Sequence, residues 1–393
     1  MEYKLADKIK NTGTSGIRIA MERTALIPEC ISFGIGNPAP EAIPTEKILN
    51  SIRKVIEGDP MKILQYGSGF GFQPLVDHTL NHLINDLNLP KEDNSLTLIN
   101  GSGHGLGLLP RVLCDAGDVV FADEFTFPNG VNAAKANGAI IESIKMDKFG
   151  MIPEELEKSA KKGKGKYIYL IPNFHNPTGI TIPLERRKEL YEIARKYDLV
   201  IYEDDPYGEI RFTGERVPSF KSFDTDNRVI FAGSYSKVMS AGIRVGYLYG
   251  PTKLIQVIND VKGCSDGGSA FLNQMTVSFT LDQVEYAPYI QNICDIYGKK
   301  CKILTDSIKE YCSDKFTFIE PEGGMFLWLD APKDLDIEAF FDKCLENKVC
   351  VLPSSGFATS SNNGHSFRLN FTALSDDKIV EGIKRLGKVT HEF

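Results

Sequence analysis

The feature that most constrains the fold of this chain is an alternation. Between about residues 96 and 250, short β-branched or aromatic runs recur: DVVFAD, GAIIESI, KYIYLIP, DLVIYED, RVIFAG and VGYLYG. Helical patterns lie between several of them, most clearly LERRKELYEIARKY at 184–197. A strand that is apolar on both faces must be covered on both, and a parallel neighbour needs a long crossover. The alternation therefore predicts βαβ units in a mostly parallel, doubly wound sheet of the α/β class. Right-handed crossovers gather the loops that follow the strands along one edge, where ligands bind.

The rest of the chain reads differently. A long amphipathic stretch at 286–312 leads into short strands (FTFIE, MFLWLD) and two helices, a smaller α+β domain. The first 47 residues hold one expected helix (14–26) and an irregular Gly/Pro segment, ISFGIGNPAPEAIP, expected to pack on that smaller domain. The predicted organisation is a large domain at 48–285 and a discontinuous small domain from 1–47 and 286–393. Lys plus Arg number 45 against 52 Asp plus Glu, a net charge of −7, which argues against a nucleic-acid or anionic-membrane partner. No apolar run approaches the roughly 18 residues of a membrane span, and MEYKLADKIKNTG lacks the apolar core of a secretory signal. None of the eight cysteines forms a C-x-x-C pair or a zinc-like cluster. Reduced thiols and a cytoplasmic location are expected. The only basic run, KSAKKGKGK at 158–166, reads as a solvated helix end.

Four segments place polar residues where strands end or helices begin. In IFAGSYSKVMSAGIRVGY (230–247) a strand is followed by Ser234, Ser236 and Lys237, with Arg244 beyond. A lysine there is costly to bury as an ammonium but persists as an amine or Schiff base. The hydroxyls and the guanidinium suit a phosphate. On this segment alone, a surface lysine in a loop accounts for the pattern equally well. In YLIPNFHNPTG (169–179) a turn signal follows a buried strand and puts Asn176 at the ligand edge. In LVIYEDDPYGE (199–209) a strand ends in Glu203, Asp204 and Asp205, which need a cation, a metal or a protonated ring nitrogen. In LINGSGHGLGLLPRVL (98–113) a Gly/Ser turn opens a helix whose first N–H groups would cradle an anion.

An anion cradle, a buried lysine, a carboxylate and an amide are what a phosphorylated pyridine aldehyde requires. With these residues in place, the chain resembles the fold-type I aminotransferases (class I/II) that depend on pyridoxal 5'-phosphate, and most closely their 2-aminoadipate and aromatic branch. The resemblance covers nearly the whole chain, through GIGNP (34–38), LQYGSGFG (64–71), GSGHG, DEFTF (123–127), HNPTG, EDDPY, SYSK, GIRVGY, PEGGMFLW (321–328) and FRLNF (367–371). It implies the PLP-dependent transferase fold type I and a ping-pong transfer of an amino group. The donor would be an aromatic, 2-aminoadipate or other bulky apolar amino acid, and the acceptor a 2-oxo acid such as 2-oxoglutarate.

By the same resemblance, Lys237 would hold the cofactor as an imine and then carry the proton. Asp204 would keep the pyridine nitrogen protonated, Tyr207 and Asn176 would bond the ring oxygen, and Phe127 would stack on the ring. Ser102, the N–H groups of Gly103 and His104, Ser234, Ser236 and Arg244 would hold the phosphate. Tyr66 would reach it from the neighbouring subunit of a homodimer. Arg368 would fork the substrate carboxylate, with Asn176 beside it, and Gly36 would let the chain approach closely. Arg18, in TSGIRIAM, would meet the distal carboxylate of an acidic substrate; a solvated helix arginine is the equal alternative. Phe127, Ala241, Ser354 and Val76 depart from commoner family residues without removing a catalytic group.

His78 and His82 are four apart on a helical pattern, but no third ligand accompanies them, so helix histidines and no metal site are expected. Asp205 reads as structural and Trp328 as core packing. Two alternatives stay open: another fold-type I reaction on the same lysine, such as β-elimination, and a non-catalytic sensor domain, against which the lack of a basic DNA-binding extension argues.

Overall fold

The alternation folds into a seven-stranded sheet. In the computed structural model, which describes residues 3–10 and 16–393, its strands are β1 (Asn94–Ile99), β2 (Val119–Asp123), β3 (Ile140–Ile144), β4 (Gly165–Leu170), β5 (Val200–Asp204), β6 (Val229–Ser234) and β7 (Gly246–Pro251). They lie in the order β1-β7-β6-β5-β4-β2-β3. The pairs β2–β3, β2–β4, β4–β5 and β5–β6 are parallel, while β7 runs antiparallel to both β6 and β1. The mostly parallel, doubly wound expectation holds, with one reversed strand near the edge.

Why these runs form strands is visible in where alternate residues go. Val120, Ala122, Tyr167 and Tyr169 enter one core, while Phe121, Ile168 and Leu170 enter the other. A period of two with both faces apolar requires helices on both sides. Helix Leu184–Lys196 supplies part of one cover, burying Leu190, Tyr191 and Ala194. Because β2, β4, β5 and β6 are parallel, the segments after Asp123, Leu170, Asp204 and Ser234 all emerge at one edge.

A second, four-stranded sheet contains Thr317–Phe318, Phe326–Asp330, Ser366–Asn370 and Leu352–Pro353 in that spatial order, all antiparallel. The short strand Ile31–Ser32 pairs in parallel with Val349–Cys350, tying the N-terminal segment to the C-terminal part. Helix Tyr286–Tyr311 packs along helix Asp376–Thr390. Of the expected 14–26 helix, the described part runs Gly16–Ala25; residues 14 and 15 lie outside the described ones. The two sheets meet where Gly179, at φ +72°, puts its α-carbon against strand Phe326–Asp330. A β-carbon there would sit 2.6 Å from the Phe326 carbonyl oxygen, so only glycine fits. Among the described residues no helix is long and apolar enough to cross a membrane.

One buried cation holds the loop between β4 and helix Leu184–Lys196. Arg187 is fully buried and donates to the carbonyls of Ile182 (2.8 Å), Pro218 (2.9 Å) and Pro172 (3.0 Å) and to Asn173 Oδ1 (2.6 Å). Replacing it strands the buried Ile182 carbonyl and Asn173 Oδ1, each worth about 1–3 kcal/mol when left unpaired. Arg187→Leu is expected to lower the thermal midpoint by at least several degrees in calorimetry; an unchanged midpoint would refute this account of the loop.

Candidate active site

At the strand edge a cavity of about 500 Å³ opens between the two sheets. Its floor is Asp204, the last residue of β5, which is 2 % exposed. One carboxylate oxygen, Oδ2, accepts from the Tyr169 hydroxyl at 2.9 Å. The other, Oδ1, is buried with no partner among the described residues. Burial pushes this carboxyl up to about 7, with neighbouring Asp205 adding to the shift and the Tyr169 bond opposing it. A buried carboxylate with an open oxygen calls for a cationic donor. Asp205 faces away and accepts from Asn173 Nδ2 at 3.0 Å, a structural role.

Lys237 and Arg368 face the same cavity, and neither forms an ion pair among the described residues. Lys237 Nζ donates to the Gly36 carbonyl at 2.8 Å. Burial, and then the charges of Arg368 and Arg244, bring its amine down to about 8. Arg368 is 3 % exposed on strand Ser366–Asn370. It donates to Asn176 Oδ1 at 2.8 Å and to the Gly34 carbonyl at 2.7 Å, and its Nε has no partner. Its guanidinium lies 4.3 Å from the Phe326 ring centroid and 4.8 Å from that of Phe357. Burial lowers it to about 10. Asn176 also stands with its Nδ2 3.5 Å from the Tyr207 hydroxyl, so one amide touches both the arginine and the tyrosine. Tyr207 is 5 % exposed with its hydroxyl pushed up by burial.

Another part of the lining is suited to an anion. Helix Ser102–Leu113 begins there, and Ser102 and Gly103 line the cavity with Ser234, Ser236 and Arg244. Arg244 Nη1 donates to Ser236 Oγ at 3.2 Å, while the Ser236 N–H donates to Ser234 Oγ at 3.1 Å. Gly101, at φ +75°, leaves room for the Arg244 guanidinium, which any β-carbon would strike. At Gly103 nothing lies within 4 Å of an added β-carbon, so the helix start borders open space. Hydroxyls, a guanidinium and a helix N-terminus form a phosphate cradle. With the orphaned Asp204 oxygen and this cradle in one cavity, the residues fit pyridoxal 5'-phosphate.

The structure thus brings together Lys237, Asp204, Tyr207, Asn176, Arg368, Gly36, Phe127, Ser102, Gly103, Ser234, Ser236 and Arg244. Three expected residues stand elsewhere. His104 is a correction to the cradle: its N–H is taken by the Gly101 carbonyl (3.0 Å), and its ring turns toward Asn100 and Asp266. Arg18 is exposed and pairs with Glu22 at 2.7 Å, while Ile17 and Met21 of the same helix face the cavity. Tyr66 is 92 % exposed, away from this chain's own cavity. Sequence reasoning missed Ile17, Met21, Ile35, Asn129, Ile171, Pro206 and Phe326 in the lining, and Tyr169 beneath Asp204. Asn129 had a readable signal, two residues past Phe127 at the opening of helix Pro128–Ala136. The apolar ones carried none.

Comparison with known proteins bears on this geometry. The sequence model of aminotransferase class I and II matches residues 28–386. The chain is 31 % identical over 369 residues to aromatic-amino-acid aminotransferase 1 of Thermococcus litoralis, covering 93 % of this chain and 88 % of that one. The kynurenine aminotransferase of Pyrococcus horikoshii, solved with PMP, superposes with a TM-score of 0.93 at 30 % identity, covering 99 % of this chain and 97 % of that one. The alpha-aminoadipate aminotransferase of Thermus thermophilus, solved with N-(5'-phosphopyridoxyl)-L-leucine, gives 0.89 at 27 % identity over the same shares.

The raised Asp204 carboxyl sets a pH test with a definite sign. Its folded value lies above its unfolded one, so in cofactor-free protein its ionisation opposes folding; the penalty is full above about 7 and absent below about 4. Cofactor-free Asp204→Asn is therefore expected to melt at a higher temperature than the parent at pH 8, the gain vanishing by pH 4. Added cofactor should reverse the order. A gain independent of pH in calorimetry would overturn this assignment.

Proposed function

The chain belongs to the class I and II aminotransferases, and from that premise we propose that it takes the amino group of a bulky apolar, aromatic or 2-aminoadipate-like amino acid and delivers it to a 2-oxo acid, 2-oxoglutarate first among them. It is a transaminase dependent on pyridoxal 5'-phosphate. When bound, the cofactor supplies a carbonyl carbon for the amino group and a ring that accepts the electron pair left on Cα. Everything else falls to the chain's own residues.

The observation that carries the reading is that two cations, Lys237 and Arg368, are held by neutral acceptors alone. Lys237 on Gly36 and Arg368 on Gly34 are held without a counter-charge, so each can exchange a neutral acceptor for an anionic or carbonyl partner. Arg368 presents a planar fork to an α-carboxylate, steered by Asn176. Lys237, with its amine lowered to about 8, is poised to accept and return a proton near neutrality. Asp204 keeps a ring nitrogen protonated, and Tyr207 with Asn176 directs a donor at the ring oxygen.

The donor class rests on the lining between the N-terminal helix and Arg368, where Ile17, Met21, Ile35 and Phe326 form an apolar wall. Arg18, next to Ile17, reaches an acidic substrate by giving up its exposed pair with Glu22, a bond worth little in water. The reading includes a homodimer in which Tyr66, outside its own cavity, serves the neighbour's phosphate. It also takes 48–285 as the large domain, the two chain ends as the small one, and a cytoplasmic location, supported by eight free cysteines.

A panel of amino donors against 2-oxoglutarate tests this. Aromatic, leucine-like and 2-aminoadipate donors are expected to exceed aspartate, and ammonia release from the amino acid alone would sink the reading. Arg368→Lys is expected to lower kcat/KM for every donor about 100-fold. Arg18→Ala should raise KM for 2-oxoglutarate while leaving leucine-like donors unaffected; equal KM values would remove Arg18 from the substrate site.

A further inference from the structure

The histidines four apart on helix Gln73–Asn85 have different surroundings. His82 is 13 % exposed, with Nδ1 2.7 Å from Asp86 Oδ2 and Nε2 2.9 Å from Glu209 Oε1. Two carboxylates on opposite ring nitrogens require both nitrogens to carry hydrogen, which only the imidazolium does. The Nε2 contact is close but off the line of a good hydrogen bond, so charge carries it. His82 also sits in the last turn of its helix, where the helix dipole favours a cation. Glu209 spends its other oxygen on the Tyr286 hydroxyl at 2.7 Å, and the Tyr286 ring meets His82 edge-on at 4.9 Å. Three elements converge: helix Gln73–Asn85, the segment after β5, and the start of helix Tyr286–Tyr311.

Glu209 lies two residues beyond Tyr207, inside a tight turn closed by the Ile210 N–H on the Tyr207 carbonyl at 2.8 Å. Fixing Glu209 therefore holds the turn from which the Tyr207 side chain projects. We propose that protonated His82 is a positioning residue for amino transfer, clamping Glu209 and through it the hydroxyl of Tyr207. This rests on the reading above that Tyr207 reaches the bound cofactor.

Burial alone would depress His82, but Glu209 and then Asp86 raise it above the ordinary histidine value. The groups facing the clamp are Asp86 and His78 on its own helix, Glu209 from the loop with Arg216 acting on it, and Tyr286 from the long helix. A folded value above the unfolded one makes the clamp complete below about pH 6.5 and lost as pH rises through the folded value.

Histidine NMR of cofactor-free protein reads the clamp directly, with His82→Gln assigning the resonance. His82 is expected to titrate above the ordinary range, and Glu209→Gln, which keeps a side chain for Tyr286, to bring it down. Titration at or below the ordinary value would overturn the proposal. In the cofactor-loaded enzyme, His82→Gln and Glu209→Gln should move the pH midpoint of the cofactor's visible absorbance in the direction that Tyr207→Phe moves it, and lower kcat about threefold or more with little change in KM. If Tyr207→Phe shifts that midpoint and the His82 and Glu209 variants do not, the clamp is merely structural. If Tyr207→Phe has no effect, the role of Tyr207 falls instead.

Discussion

Three charged side chains are withdrawn from water at one strand edge, and none of them has an opposite charge in contact. Asp204, Lys237 and Arg368 are satisfied only in part, by a phenol, by an amide and by main-chain carbonyls. Such burial costs several kcal/mol per ion unless the surroundings hold the polar partners rigidly. The sheet beneath does that holding. Tyr169 reaches Asp204 because β4 and β5 are parallel neighbours, and Arg187 staples the loop that carries Asn176. Gly179 lets the same loop press against the small sheet. An unmet charge pattern becomes a binding site when its frame cannot relax to meet it.

The frame comes from both ends of the chain. The carbonyls of Gly34 and Gly36 reach the cations because Ile31–Ser32 is registered on Val349–Cys350, with the Phe33 N–H also bonded to the Cys350 carbonyl at 2.8 Å. Arg368 arrives from the antiparallel sheet in that same half. On the proposed reading, substrate recognition and cofactor holding fall to parts of the chain that are distant in sequence and joined by sheet hydrogen bonds.

Much of this was legible before any coordinates. Apolar runs ending abruptly in Asp204 or Lys237 violate the ordinary distribution of charge, and such violations mark chemistry rather than packing. The alternation of strands and helices was equally plain. What could not be read was neighbourhood. Tyr169 belongs to a recognised strand, but its service to Asp204 depends on which strand lies beside it and in what register. The phase of the first helix was also hidden. Ile17 and Met21 share one face and Arg18 and Glu22 the next, and TSGIRIAM does not say which face turns inward. The His78/His82 spacing suggested a metal pattern or plain helix packing; the partner that gives His82 its meaning lies more than a hundred residues away. Nothing in the sequence sets Arg187 apart from the other charges of its helix; its carbonyl partners come from loops that only the fold brings to it.

The reversed strand β7 has a mechanical consequence. Because β6 and β7 are antiparallel neighbours, with Ser234 opposite Gly246, the lysine does not ride on a crossover leading into a helix. It stands on a hairpin whose two legs are sewn to one another by the ladder, with Tyr235 N–H closing on the Val245 carbonyl at 3.1 Å. The ladder and this bond pin both ends of the loop that carries Lys237. On the proposed reading, exchange of partners at Nζ then falls to rotation within the four-carbon arm, which works from that pinned loop.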